Sequence, residues 1–275
     1  MTLPLGGPVA ARSHRALVTL EEVGKHYPSR RRGAAPLVAL RPTTVEFRHG
    51  EIVSIVGPSG CGKSTLLSLI SGLEKASTGV LRIDGATLTR PYEDLGVVFQ
   101  KDLLLPWRTA LSNVLLQAEL RGLPLKTYAN RAKDLLALVG LHGFENHYPH
   151  ELSGGMRQRV AICRALLHEP KLLLMDEPFA ALDAITRDQL SLDFQHIVKA
   201  DTRTVVFITH SMDEAVFIGD RVMVMTVRPG FIADTIDIDI PRPRTLESRA
   251  SSEYARYTAR VRDLFMKHGI LQDHS

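Results

Sequence analysis

Cysteine is nearly absent from this chain. It has two in 275 residues, Cys61 and Cys163. One lies in a glycine-rich loop and the other in a predicted helix, so a disulfide framework is not what holds the fold together. Long apolar runs are missing as well. No stretch reaches the roughly 18 residues that a membrane-spanning helix needs. Met1–Arg15 has no charged segment followed by an apolar block, so no secretory leader is expected, and its Pro and Gly content reads as a loose tail. There is no internal repeat, no low-complexity tract and no heptad run. Charge of one sign is also weak. The net value is +4, which would suit nucleic acid, a nucleotide or an anionic membrane surface and separates none of them. What remains is ordinary for a globular protein, with 44% hydrophobic and 23% charged residues.

The pattern along the chain alternates. Strand-like runs stand at Ala16–Val23, Thr44–Phe47, Glu51–Val56, Val80–Asp84 and Gly96–Phe99, and again at Lys171–Met175, Thr204–Thr209 and Arg221–Val227. Helical spacing occupies Ala184–Lys199 and Met212–Ile218. Strands alternating with helices predict a mostly parallel α/β sheet. Between them, Lys101 to His168 is helical, with apolar residues at 3.6 spacing over Thr109–Leu120 and Tyr128–Leu138 and a further helix over Val160–Leu167. This reads as an inserted helical subdomain. Ser29–Pro36, with Arg30, Arg31 and Arg32, reads as a solvated loop.

Residues 57–65 are Gly-Pro-Ser-Gly-Cys-Gly-Lys-Ser-Thr. They match G-x-x-x-x-G-K-S/T through Gly57, Gly62, Lys63 and Ser64. The β-branched run Glu51–Val56 precedes them and Leu66–Ile70 continues with helical spacing. Strand, glycine loop and helix start aim backbone N–H groups at one point, where the helix dipole adds positive potential. Pro58, Ser59, Gly60, Cys61 and Thr65 complete the phosphate cradle. Lys63 is placed for β- and γ-phosphates, and the Ser64 hydroxyl for Mg²⁺.

Two further motifs accompany this loop. Leu172–Met175 ends in Asp176 and Glu177. An apolar strand ending in an acid places Asp176 beside the phosphate loop, where it can hold the Mg²⁺ shell. Glu177 follows at once and is the natural group to orient and deprotonate an attacking water. Leu152-Ser-Gly-Gly-Met156 precedes Arg157-Gln158-Arg159 and a helix. Ser153, Gly154 and Gly155 would give a helix start with free N–H groups, a second anion site. Alone, Ser-Gly-Gly is an ordinary helix cap. Beside a P-loop and an Asp-Glu strand it is more than that.

With these residues in this order, the chain resembles the nucleotide-binding subunits of ABC transporters over residues 16–245. The further matching positions are Tyr27 as adenine-stacking aromatic, Gln100, Ala181-Leu182-Asp183 and His210. Val98-Phe99-Gln100 followed by Leu104-Leu105-Pro106-Trp107, and Pro241-Arg242-Pro243-Arg244, are similar to the importers of nitrate, sulfonate, taurine and related small anions; relatives for bicarbonate or pyrimidine precursors share these features. The resemblance implies a RecA-like P-loop ATPase core with an antiparallel β-subdomain and a helical subdomain at about 101–168. It implies ATP and Mg²⁺ as cofactors, with Gln100 at Mg²⁺ or water and His210 at the γ-phosphate and Glu177. It also implies a head-to-tail, ATP-sandwiched dimer in which Ser153–Gly155 of one copy faces the P-loop of the other and Asp183 links the two sites. The partners implied are a second copy, an integral-membrane permease that Leu104–Trp107 would approach, and indirectly a solute-binding protein, with no nucleic acid. The implied place is the cytoplasmic face of the membrane, peripherally bound, and the implied direction is import.

Rival readings differ in visible features. A soluble ABC ATPase of DNA repair would carry coiled-coil arms between P-loop and signature, and 66–151 has no heptads. A translation-type factor would carry two cassettes. A P-loop kinase or GTPase would lack the Leu-Ser-Gly-Gly motif, and a non-catalytic subunit would be expected to lose Glu177 or His210. The remaining segment, 246–275, reads as a helical tail. Ser251 or Ser252 can cap it, Tyr254, Tyr257, Val261, Leu264 and Phe265 fall on one face, and Arg256, Arg260 and Arg262 lie mostly on the other. A segment of about thirty residues cannot form its own core. Its stripe must lie against this chain's core, the partner copy or the membrane component.

Overall fold

The computed structural model describes residues 15–29, 35–199 and 203–271. The N-terminal stretch 1–14 and the arginines of the expected loop at 30–32 lie outside them.

Two long strands open the chain, β1 (Ala16–Tyr27) and β2 (Leu37–Arg48), followed by β3 (Ile52–Val56) and α1 (Lys63–Ser71). Next come β4 (Thr78–Ile83), β5 (Ala86–Thr87) and β6 (Leu95–Val98). The helical section holds α2 (Ala110–Leu120), α3 (Leu125–Leu138) and α4 (Gly154–Leu166). Then alternate β7 (Leu172–Asp176), α5 (Ala184–Lys199), β8 (Thr204–Thr209), α6 (Met212–Ile218) and β9 (Arg221–Met225). The chain closes with β10 (Ile232–Asp237), α7 (Leu246–Arg249) and α8 (Ser252–Lys267).

The strands form two sheets. One is antiparallel, in the order β2-β1-β4-β5; the other runs β10-β9-β3-β8-β7-β6. In the larger sheet β9, β3, β8, β7 and β6 pair in parallel and only β10 is antiparallel. All five residues of β3 and all six of β8 are buried. Strands covered on both faces need continuous apolar runs, which is why Ile-Val-Ser-Ile-Val and Thr-Val-Val-Phe-Ile-Thr read so clearly.

The layers follow from which faces are apolar. One core gathers Val53, Ile55, Leu66, Ile70, Leu174 and Ile208 with Leu20 and Phe47 of the antiparallel sheet. The opposite face of the large sheet packs Phe179, Phe194, Phe207, Phe217 and Val224. The helical section has its own core of Val114, Ala118, Ala132, Leu136, Leu141 and Val160. The described residues contain no helix long and apolar enough to cross a membrane.

Several boundaries differ from those expected. The β1–β2 ladder reaches Tyr27 opposite Leu37, well past Val23 and Thr44. Register shifts at Leu20/Val23, Val23/Lys25 and Lys25/His26 break the period-two alternation that would have announced it. Helix α4 starts at Gly154, ahead of Val160. Two glycines lower the local propensity, but Ser153 accepts from the Met156 N–H and fixes the first turn. The edge strand β10 was not anticipated.

Helix α8 is capped by Ser251, whose side chain accepts from the Tyr254 N–H. Tyr254, Tyr257, Val261, Leu264 and Phe265 join the core that holds α6 and β9. The apolar stripe therefore lies on this chain's own core.

Candidate functional site

Four parallel strands end at the same edge of the large sheet. The loop 57–62 follows β3, Glu177 follows β7, His210 follows β8 and Gln100 stands two residues beyond β6. The carboxyl edge of such a sheet is where ligands bind in open α/β folds.

The loop is shaped by close approach. Gly62 stands at φ 109°, and a Cβ there would meet the Ala39 carbonyl oxygen at 2.7 Å. Only glycine fits both constraints. Helix α1 has no side-chain cap, which leaves its first N–H groups for a ligand or water. Lys63, its first residue, is only 4% exposed and donates to the carbonyls of Gly57 and Pro58, each at 2.9 Å. Ser59, Gly60 and Ser64 are exposed, while Pro58 and Thr65 are half-buried. Cys61 is buried, and that burial pushes its thiol up, so it behaves as packing and not as a nucleophile.

Glu177 joins the loop to the next two strands. Its Oε1 lies 3.4 Å from Lys63 Nζ. Its Oε2 lies 3.1 Å from His210 Nδ1. The residue sits at φ 47°, a left-handed conformation that a non-glycine residue adopts at a cost of order 1–3 kcal/mol. The Glu177 N–H donates to the Ile208 carbonyl at 2.9 Å, which ties β7's end to β8. Asp176, just before it, lies near the Ser64 side chain. Burial raises the Asp176 carboxyl above its ordinary range; the Ser64 hydroxyl and Lys63 pull it down while Glu177 pushes it up.

Lys63, Ser64, Asp176, Glu177 and His210 are thus brought together at this edge. Tyr27, Gln100, Ser153–Gly155 and Asp183 belong to other segments. Among the described residues no hydrogen bond joins Gln100, Tyr27 or Ser153 to this cluster. Gln100 is exposed. Tyr27 is half-buried, with Lys25 Nζ 4.9 Å from its ring centroid. It pairs with Leu37, two residues from the Ala39 that walls Gly62. Ser153 and Gly154 are exposed, and Gly155 is buried against α5, where a Cβ would meet Thr186 Cγ2 at 2.5 Å. Asp183 is exposed and caps α5, accepting from Thr186 N and Thr186 Oγ1 at 3.0 and 2.7 Å. Those bonds hold its carboxyl below the ordinary range.

Sequence reasoning passed over the groups that hold the site's frame, Thr209, Glu214, Arg187 and Arg244. Arg244, 1% exposed, donates to the carbonyls of Val216, Phe217 and Gly219 at the end of α6. Its only signal was the Pro-Arg-Pro-Arg run, read for family likeness and not for packing.

The model of the ABC transporter family matches residues 40–180. A taurine import ATP-binding protein of Rhizobium johnstonii is 46% identical over 229 residues, 82% of this chain and 87% of that protein. An aliphatic sulfonates import ATP-binding protein of Bacillus cereus is 38% identical over 255 residues, covering 93% of this chain and 98% of its own. Among solved structures, a dimeric ATP-binding cassette in a post-hydrolysis state with ADP and Pi superposes with TM-score 0.69 at 34% identity, covering 82% of this chain and all of that one, 100%.

Proposed function

The chain belongs to the ABC transporter family as an ATP-binding, ATP-hydrolysing subunit, and from that premise we propose that it powers import of a small sulfonate-like or related solute through a separate permease. The observation that carries the reaction is the Lys63–Glu177–His210 cluster at the sheet's carboxyl edge. The N–H groups of 57–65 cradle phosphate oxygens, and Lys63 supplies a compact positive charge to the β- and γ-phosphates. Glu177 orients the attacking water and accepts its proton. Its two oxygens are already held, one by Lys63 and one by His210, so little reorientation is needed before reaction. His210 holds Glu177 in place and would face the γ-phosphate, and Gln100, just beyond β6, would help hold the water or Mg²⁺.

The residues present fit Mg²⁺. Ser64 and Asp176 supply neighbouring hydroxyl and carboxylate oxygens, the hard donors that this ion takes alongside phosphate and water. When bound, Mg²⁺ neutralises charge developing on the phosphate oxygens. Tyr27 stacks on the adenine. Ser153, Gly154 and Gly155 serve the nucleotide of a second copy, and Asp183 connects the two sites across that dimer. The working place is the cytoplasmic face of the membrane, docked on a permease fed by a solute-binding protein. The importer names of the relatives support this over a DNA-repair or translation ATPase.

Glu177→Gln tests the reading. The amide keeps shape but takes no proton, and loss of a general base costs about 10²–10⁴ in rate. ATP affinity by calorimetry should match wild type, with turnover lost and an ATP-held dimer in size exclusion. Wild-type turnover would sink the assignment.

A further inference from the structure

His210 is flanked by two residues that share one hydroxyl. Thr209 Oγ1 donates to Glu214 Oε2 at 2.6 Å and accepts from the Ser211 N–H at 3.0 Å. Glu214 stands in the first turn of α6, 5% exposed, and its own N–H donates to Ser211 Oγ at 3.2 Å. The residues on either side of His210 are therefore joined through one hydroxyl, and that hydroxyl is held by one carboxylate. The other oxygen of that carboxylate faces α5, where Arg187 Nε lies 3.4 Å from Glu214 Oε1. Arg187 is tied to the loop before it. Its Nη2 donates to the Leu182 carbonyl at 3.0 Å, and its amide to the Asp183 carbonyl at 2.9 Å.

These contacts run without a gap from Asp183 to Arg187, Glu214, Thr209, His210 and Glu177. The Glu214–Arg187 pair is long and is an ion pair without a hydrogen bond at Nε. Burying a carboxylate for so loose a partner contributes little to stability. Burial also raises the Glu214 carboxyl, with Thr209 and Arg187 opposing. A neutral side chain would cap this strand end at lower cost. What a charge adds here is a link between two loops on different strands.

We infer that Glu214, with Thr209 and Arg187, forms a positioning unit that holds His210 against Glu177 and couples that hold to the Asp183 loop. The inference rests on the roles of Glu177 and His210 given above. A shift of Leu182–Asp183, the segment that a second copy would meet, reaches His210 through the Arg187–Glu214 pair. Each of the three would act through another residue, Thr209 on His210, and Arg187 and Glu214 on Thr209.

The test uses the full chain and reads kcat per folded molecule, ATP Kd and Tm. Thr209→Val is isosteric and keeps a β-branched residue in β8, but it removes the shared hydroxyl. It should lower kcat about tenfold or more, because small misplacements of reacting groups are costly, with ATP Kd within about twofold. Thr209→Ser restores the hydroxyl and should restore kcat. Arg187→Met and Glu214→Gln should each slow turnover, and the double variant should be no slower than the worse single one, since groups acting as a unit are not additive. This cycle serves equally if Thr209→Val fails to fold. Wild-type kcat in Thr209→Val, Thr209→Ser as slow as Thr209→Val, or additive effects of Arg187→Met and Glu214→Gln would each overturn the inference. Glu177→Gln separates the two levels. If it still turns over, the proposed function falls; if it is inactive while Thr209→Val is unimpaired, only the positioning unit falls.

Discussion

Glu177 joins two properties in one side chain, a φ of 47° and a carboxylate shared between Lys63 and His210. The first aims the second. An extended backbone would continue β7 and carry the side chain away from the loop after β3. Glu177's position was legible because an acid directly after an apolar strand end is uncommon without a purpose; the φ was not, since glutamate carries no mark of it. Tyr27 shows the opposite case. Its ring is half-buried at a strand end and already carries Lys25 on one side, so packing and base stacking both fit. Base–aromatic stacking is worth about 1–3 kcal/mol. Tyr27→Ala should weaken ATP and ADP alike, by roughly fivefold to a hundredfold, while Tyr27→Trp should hold affinity. Calorimetric titration with both nucleotides checks this. Unchanged affinity in Tyr27→Ala would return the residue to packing.

At the scale of elements, the buried parallel strands were the easiest to read and β1, β2 and β10 the hardest. Burial on both faces writes a continuous apolar run, whereas bulges in the β1–β2 ladder interrupt alternation. Helix α8 was legible from its stripe, but its partner was not, because an amphipathic face does not name what covers it. The structure places that face on α6 and β9's core. Tyr254 also donates to the Asp213 carbonyl at 2.7 Å and lies 2.8 Å from Asp213 Oδ1. Arg249 bridges Asp188 of α5 and Asp213 of α6 at 2.6 and 3.3 Å, with its guanidinium 4.3 Å from the Phe217 ring. The tail thus fastens the two helices that follow Asp183 and His210. Phe265→Ala should cost about 3 kcal/mol, which lowers Tm by roughly 6 °C or more in a chain of this size. Thermal melts of the isolated subunit measure it. An unchanged Tm with lost self-association would move the role of α8 to the dimer.

At the scale of the molecule, under the proposed function one copy holds two half-sites on different elements. The Lys63–Glu177–His210 cluster sits at the sheet edge. Ser153 caps α4 on the helical section, where Gly155 packs against Thr186 of α5, and among the described residues it has no hydrogen bond to the cluster. If the α4 start binds an anion, as proposed, it does so for a second chain, and the dimeric relative in its ADP and Pi state is consistent with that. Ser153→Arg separates the two half-sites. The arginine would obstruct the closed dimer, while Lys63 still grips ATP in its own chain. ATP binding by the monomer should be kept and hydrolysis lost. Lys63→Ala removes a charge from the phosphates and should lose affinity instead. Mixed together, the two inactive variants form some heterodimers with one composite site in which both elements are intact. Activity should therefore reappear on mixing, to at most about half a wild-type dimer's in each heterodimer if the sites turn over independently. Hydrolysis by Ser153→Arg alone, or loss of ATP binding in its monomer, would mean that the two half-sites do not meet across a head-to-tail dimer.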